Sequence, residues 1–154
     1  MNGHVEANPE LPPLVIRGRL LNEIFTHALQ RYPEECCGLL TGTQPGCFDA
    51  VHPCWNAIGG GRAFQMNADD YLPILREAEA SGARVTGVYH SHVEAAAYFS
   101  EEDQRFALQE MYPFPDVDHI VVSVIGREVK EFAAFRWLPG AGRFERRTLE
   151  VEAP

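Results

Sequence analysis

The sequence predicts a domain of the α/β or α+β class, a mixed β-sheet flanked by helices. Three observations carry this reading. Apolar residues recur at helical spacing in two stretches before residue 81, short Val- and Ile-rich runs are interleaved with them, and the chain closes on consecutive strand-like runs separated by turn residues. A chain of 154 residues fits one domain and can bury a core without cross-links.

Residues 1–13 are polar and Pro-rich without periodicity and read as a flexible leader, so a single domain is expected over 14–152. Leu20, Leu21, Ile24, Phe25, Ala28 and Leu29 fall on one helical face, and Pro33 stops the pattern near Tyr32. Cys37 to Thr41 is a short apolar run before the turn residues Gly42 to Gly46, which predicts a buried strand, with Cys47 to His52 as its hairpin partner. Gly59 to Gly61 mark a loop, followed by a short strand over Arg62 to Met66.

A second helix is expected from Asp69 to Ala80, with Pro73 tolerated in its first turns and Gly82 at its C-cap. Val85 to His90 reads as a buried strand and Val93 to Phe99 as irregular. A third helix starts at Ser100, turns Phe106, Ala107 and Leu108 inward, and ends before Pro113. Strands are then expected at His119 to Ile125, Val129 to Leu138 and Arg143 to Val151, broken by Gly126 and by Pro139 to Gly142.

Composition narrows the function classes. With 45% hydrophobic and 23% charged residues the body is neither disordered nor fibrous. A net charge of -9, with no basic cluster beyond Arg146 and Arg147, disfavours a nucleic-acid partner. No run approaches the roughly 18 apolar residues of a membrane span, and the N-terminus lacks the basic and apolar regions of a signal peptide. A cytoplasmic location is therefore expected, with the four cysteines, Cys36, Cys37, Cys47 and Cys54, reduced.

The chemistry concentrates in GVYHSHVEAAAYFSEED. His90 and His92 are two apart at a strand end, and strand alternation puts both imidazoles on one face. Asp103, in the first turn of the following helix, can return as a third ligand. Two His and one carboxylate leave a fourth tetrahedral position, the arrangement of a catalytic zinc site whose water is acidified to a pKa of about 7. Glu35, just before the strand at Cys36, is the candidate proton acceptor, and Ser100 can donate to a developing oxyanion.

The segment Glu35-Cys-Cys-Gly-Leu-Leu, together with H-x-H, seven residues, S, two residues and D, resembles the JAMM motif of MPN+ metalloproteases, stand-alone prokaryotic type. The resemblance spans Ile16 to Trp137. It implies one zinc ion per chain held by His90, His92 and Asp103, with Glu35 as general base and Ser100 supporting the oxyanion. It also implies a curved sheet of cytidine-deaminase-like kind. The implied substrate is the C-terminal tail of a ubiquitin-like or sulfur-carrier protein, from which some prokaryotic members release an amino acid such as cysteine. A non-catalytic module that binds such a partner is the alternative.

Plainer readings compete at several positions. Ser100 and Asp103 form an S-x-x-D capping box whether or not they do chemistry. Glu34 beside Glu35 is a rival carboxylate. Cys47, His52 and Cys54 lack the number and spacing of a structural metal site, and Gly59 to Gly61 lack the G-K-[ST] ending of a phosphate loop. Phe64, Tyr89, Tyr98 and Phe99 read as core before they read as a substrate groove. Deaminase chemistry is disfavoured because the H-x-E and P-C-x-x-C pair is absent.

Overall fold

The computed structural model describes residues 7–8, 11–54, 68–108 and 116–153. In chain order these form β1 (Leu14–Arg17), α1 (Gly18–Arg31), β2 (Cys37–Gly42), β3 (Ala50–Cys54), α2 (Ala68–Ala80), β4 (Arg84–Val93), α3 (Glu101–Ala107), β5 (Asp118–Ile125), β6 (Glu128–Leu138), β7 (Arg143–Arg147) and β8 (Leu149–Glu152). Six strands make one mixed sheet in the order β3-β2-β4-β5-β6-β7, parallel only between β4 and β5, while β1 and β8 pair in parallel as a separate two-stranded sheet. The class is the expected α+β, with three helices among the described residues.

Alternation along the central strands sorts the core into two faces. Cys36, Leu40, Tyr89, Ile120, Val122 and Ala134 point to one side, where α1 covers them with Leu20, Leu21, Ile24 and Ala28. Cys37, Leu39 and Val88 point to the other, against Tyr71, Ile74 and Leu75 of α2. Farther along that second face Val121, Ala133 and Phe135 meet Ala97 and Phe99. Covering on both faces explains why β5 is a continuous apolar run rather than an alternating one. Each fully buried aliphatic side chain of this kind contributes roughly 1.5–3 kcal/mol. The first residues of β5 are fixed by Asp118, fully buried, which accepts from Arg136 at 3.1 Å and from Arg147 at 2.9 Å; Arg147 also donates to the Pro12 carbonyl at 2.8 Å.

Several boundaries differ from the sequence reading. The hairpin partner of β2 is Ala50–Cys54 and not Cys47 to His52, because Cys47 is still in the turn, its N–H donating to the Gln44 carbonyl at 3.1 Å. The strand expected to end at His90 runs on to Val93, since β5 keeps pairing with it through His92 and Val93. Arg143 to Val151 is two strands: after Arg147 the chain leaves the large sheet and turns to β1, where Leu14 donates to the Thr148 carbonyl at 2.8 Å. Helix α3 stops at Ala107, and Leu108, in the turn after the last helical residue, is 51% exposed rather than packed inward. The strand expected over Arg62 to Met66, the loop at Gly59 to Gly61, Phe64 and the side chain of Phe106 lie outside the described residues.

Gly38 supplies a specific test of the packing. It sits opposite Tyr89 in the β2–β4 register, and a Cβ there would lie 2.3 Å from the Tyr89 ring and hydroxyl. That ring is fully buried, and its hydroxyl meets His27 Nδ1 of α1 at 2.8 Å, so it cannot swing aside without breaking a buried bond. Gly38→Ala is expected to destabilise the fold by about 3 kcal/mol or more, read as a lower urea midpoint with an unchanged slope. A midpoint within error of wild type would show that Tyr89 is free to move. All four cysteines carry free thiols, and among the described residues no helix is long and apolar enough to cross a membrane.

Candidate metal centre

Strand β4 delivers two imidazoles to the same point on the second face of the sheet. His90 Nε2 and His92 Nε2 lie 3.2 Å apart, with both rings buried. Asp103 completes the group: its Oδ1 is 3.2 Å from His90 Nε2 and its Oδ2 is 3.0 Å from His92 Nε2. Among the described residues this is the one group of three such side chains able to converge on a metal ion.

These distances fit a metal. Two ligands at zinc bond lengths on tetrahedral corners stand roughly 3.3 Å apart, so little movement separates the observed triangle from a ligand set. The tautomers fit as well. The Ala96 carbonyl, 2.8 Å from His92 Nδ1, can only accept, so Nδ1 carries a proton and Nε2 is the nitrogen that faces His90 and Asp103, where a metal would take the place of a second proton.

The charges are consistent. Burial holds His90 below its ordinary value of 6.5, in the neutral form a ligand needs. Burial also acts to lower His92, but the Asp103 carboxylate and the Ala96 carbonyl outweigh it and leave that imidazole raised. For Asp103, burial acts to raise the carboxyl, and the two imidazoles overcome it and hold the group well below the usual carboxylate range. A carboxylate so poised between two imidazole nitrogens is an electrostatic invitation to a cation.

Asp103 is held by its own helix. Its backbone N–H donates to Ser100 Oγ at 3.0 Å, and Ser100 N–H returns a bond to Asp103 Oδ2 at 3.0 Å. This is the reciprocal capping pair, and it leaves the carboxylate placed so that a structural role and a ligand role can coexist. The hydroxyl accepts in that bond, which leaves its O–H available to donate elsewhere. Next to it Phe99 is buried against Phe135, Phe144 and His119 at ring separations of 5.3, 4.6 and 5.0 Å, which pins the start of α3 to the sheet.

Glu35 reaches the same site through β-pairing. Cys37 is opposite His90, and carrying that register two residues back sets Glu35 across from His92. Ser91 clips the segment in place from the opposite face: its Oγ accepts from the Cys36 N–H at 2.8 Å, and its own N–H donates to the Cys36 carbonyl at 3.0 Å. Glu35 is 5% exposed, and burial pushes its carboxyl up to about 7, with His92 opposing and Asp103 and Glu102 adding to the rise. Glu34 points elsewhere and pairs with Arg31 at 2.9 Å on the surface. Geometry thus separates the two adjacent glutamates.

Other residues that the sequence singled out are placed as follows. Tyr89 and Phe99 are core, as expected, but Tyr98 is 48% exposed and stands edge-on to His92 at 5.0 Å, so it borders the site instead of filling the core. The reason is that Phe99, its neighbour, takes the buried position. His52 bonds to Thr41 Oγ1 at 2.8 Å, and Cys47, His52 and Cys54 do not converge as ligands. Ser91, Gly38 and Ser123 were not legible as parts of the site, although a serine inside a Val/Ile run at 120–125 is a signal in hindsight.

His119 is buried on β5 against Phe99 and Phe144. Burial, with His90 and Arg136 adding and Asp103 opposing, pushes its imidazole from 6.5 down to about 3. Between those values the unfolded chain binds a proton that the folded chain refuses, so stability is flat above the unfolded value and is lost as pH falls below it. Each pH unit in that window costs on the order of 1.4 kcal/mol. His119→Gln is expected to show a shallower fall of the urea midpoint than wild type between about pH 6.5 and pH 4; parallel curves would mean that His119 titrates normally.

Comparison with known proteins agrees with this architecture. The family model described as prokaryotic homologs of the JAB domain matches residues 18–138. The chain is 30% identical over 129 residues to the CysO-cysteine peptidase of Mycobacterium tuberculosis, covering 83% of this chain and 85% of that protein. It is 30% identical over 97 residues to the desampylase of Haloferax volcanii, covering 62% of this chain and 66% of that one. The crystal structure of a JAB1/MPN domain protein from Archaeoglobus fulgidus superimposes with a TM-score of 0.54 at 22% identity, covering 91% of this chain and 97% of that one, a likeness of fold. The match runs from the first residue of α1 to the last of β6 and so takes in both imidazoles, the capped aspartate and the glutamate facing them: the chain belongs to the prokaryotic branch of the JAMM/MPN family.

Proposed function

We propose that this protein is a zinc-dependent peptidase or isopeptidase that hydrolyses an amide bond at the C-terminal tail of a ubiquitin-like or sulfur-carrier protein. The observation that carries the reading is the convergence of His90, His92 and Asp103, with a second carboxylate, Glu35, buried across the strand pair and outside that group. His90, His92 and Asp103 would hold one zinc ion per chain, which would supply the Lewis acidity that makes water nucleophilic near neutral pH. The substrate class rests on the relatives named for a CysO-cysteine bond and for desampylation.

The chain's own groups do the rest. Glu35, a buried carboxyl across the strand pair from His92, accepts the proton of the attacking water and returns it to the leaving amine. Ser100 donates its O–H to the oxygen that gains negative charge, a contribution of about 3 kcal/mol in comparable sites. His90 and His92 keep their Nε2 atoms aimed at one point, and Tyr98 forms the exposed wall over which a tail can lie. Residues 14–152 act as the functional domain, in the cytoplasm, without nucleic acid or membrane as partner.

The test is cleavage of a sulfur-carrier or ubiquitin-like protein extended past its terminal Gly-Gly, followed by mass spectrometry with zinc quantified in the same sample. Zinc near one per chain and release of the extension establish the reading. Stoichiometric zinc without cleavage would mean that the wrong carrier was offered; no zinc even after reconstitution would support instead a module that binds such a partner without cutting it.

A further inference from the structure

Residues 94–100 connect the two ligand-bearing elements, β4 and α3, without regular structure, yet Asp103 must be held to within tenths of an ångström of two imidazoles. Phe99 anchors the far end of this segment, but the alanines at 95–97 carry no polar side chain that could fix their own backbone. That backbone is held from below by one row of side chains. In the register His92 is opposite Ser123, and Ser123 is opposite Glu131, so β4, β5 and β6 each present one polar group side by side on the site face. His92 Nδ1 donates to the Ala96 carbonyl at 2.8 Å, Ser123 Oγ donates to the Ala95 carbonyl, and the Ala97 N–H donates to Glu131 Oε1 at 2.7 Å. Three neighbouring strands thus grip three consecutive loop residues.

We infer that Ser123 and Glu131 are positioning residues of the metal centre: by fixing residues 95–97 they aim the Ala96 carbonyl at His92 and so set both the tautomer and the ring orientation of that ligand. The inference rests on the proposal that the His–His–Asp group holds zinc. Ser123 is fully buried and is the one polar residue between Ile120 and Ile125. Glu131 is half-buried on the neighbouring strand and spends a carboxylate oxygen on a backbone amide three residues before Ser100. Without these two bonds the Ala96 carbonyl would wander, and His92 would lose the partner that keeps its Nε2 lone pair turned inward.

The experiment compares wild type with Ser123→Ala, Glu131→Ala and Glu131→Gln as full chains, each titrated with zinc against a competing chelator. Cobalt(II) substitution reports ligand geometry through its visible spectrum, and melting of the metal-free proteins reports the fold. Ser123→Ala and Glu131→Ala are expected to bind zinc about 10-fold more weakly or worse, with an altered cobalt spectrum. Glu131→Gln is expected to stay within about 3-fold of wild type, because its amide oxygen still accepts from Ala97 N–H. Ser123→Ala carries the test alone if Glu131→Ala does not fold. Wild-type affinity and spectrum in the alanine variants would overturn the inference while leaving the zinc reading intact, as would a Gln variant as weak as the Ala variant. Failure of the wild type itself to take up zinc would overturn both.

Discussion

Glu35→Gln is expected to bind zinc like wild type and to lose turnover by about 10²–10⁴-fold, the range over which a positioned acid–base group contributes. The substitution keeps the shape of the side chain and removes its capacity to accept a proton, at a position that contributes none of the three converging ligand atoms. Because Glu35 is buried with a carboxyl near 7, only its ionised form is a base, so activity should climb as pH rises through its titration. A bound cation favours the charged form and moves that limb to lower pH without changing its sign. Glu34→Gln serves as the control: Glu34 is half-exposed and engaged with Arg31, and its loss should change the rate less than about 2-fold. Full activity in Glu35→Gln, or an equal loss in Glu34→Gln, would reassign the base.

His92→Ala is expected to lose both the metal and all measurable cleavage, with the fold retained. One of the three converging side chains disappears, and with it the group that faces Asp103 Oδ2 at 3.0 Å. A tetrahedral site left with two protein ligands and an open rim cannot hold zinc against buffer and chelator. The fold should survive because its core is assembled elsewhere: α1 over the first face, and α2 and Phe99 over the second, with the ligand triangle between the latter two clusters. By the same argument, chelator treatment of the wild type should abolish turnover, leave the far-ultraviolet dichroism unchanged, and be reversed by added zinc. A chain that unfolds when stripped of zinc would mean that the ion is structural.

Local patterns were sufficient for much of the fold. The helical spacing at 20–29 and the Val/Ile runs at 85–90 and 119–125 correspond to α1, β4 and β5 with boundaries off by a few residues. What those patterns lack is partner information. Nothing between Arg143 and Val151 announces that the chain changes sheets at Thr148, because the switch is made by Leu14, more than a hundred residues away in sequence. The hairpin partner of β2 was displaced for a similar reason: Cys47 is apolar enough for a strand, and only the turn closed on Gln44 excludes it.

The site divides along the same line. The convergence of His90, His92 and Asp103 and the Ser100–Asp103 cap were readable because their relations are local, along one strand and within one helix cap, where spacing alone sets which way side chains point. Glu35 could be named from its motif, but its advantage over Glu34 comes from the β2–β4 register, which buries one glutamate beside His92 and leaves the other to Arg31. Tyr98 at the rim, Gly38 under Tyr89 and the Ser123–Glu131 row were decided by tertiary structure alone. Sequence periodicity determines the direction of a side chain relative to its own strand or helix; which groups it meets across the sheet depends on register and loop placement, and these are set by contacts between residues far apart in the chain.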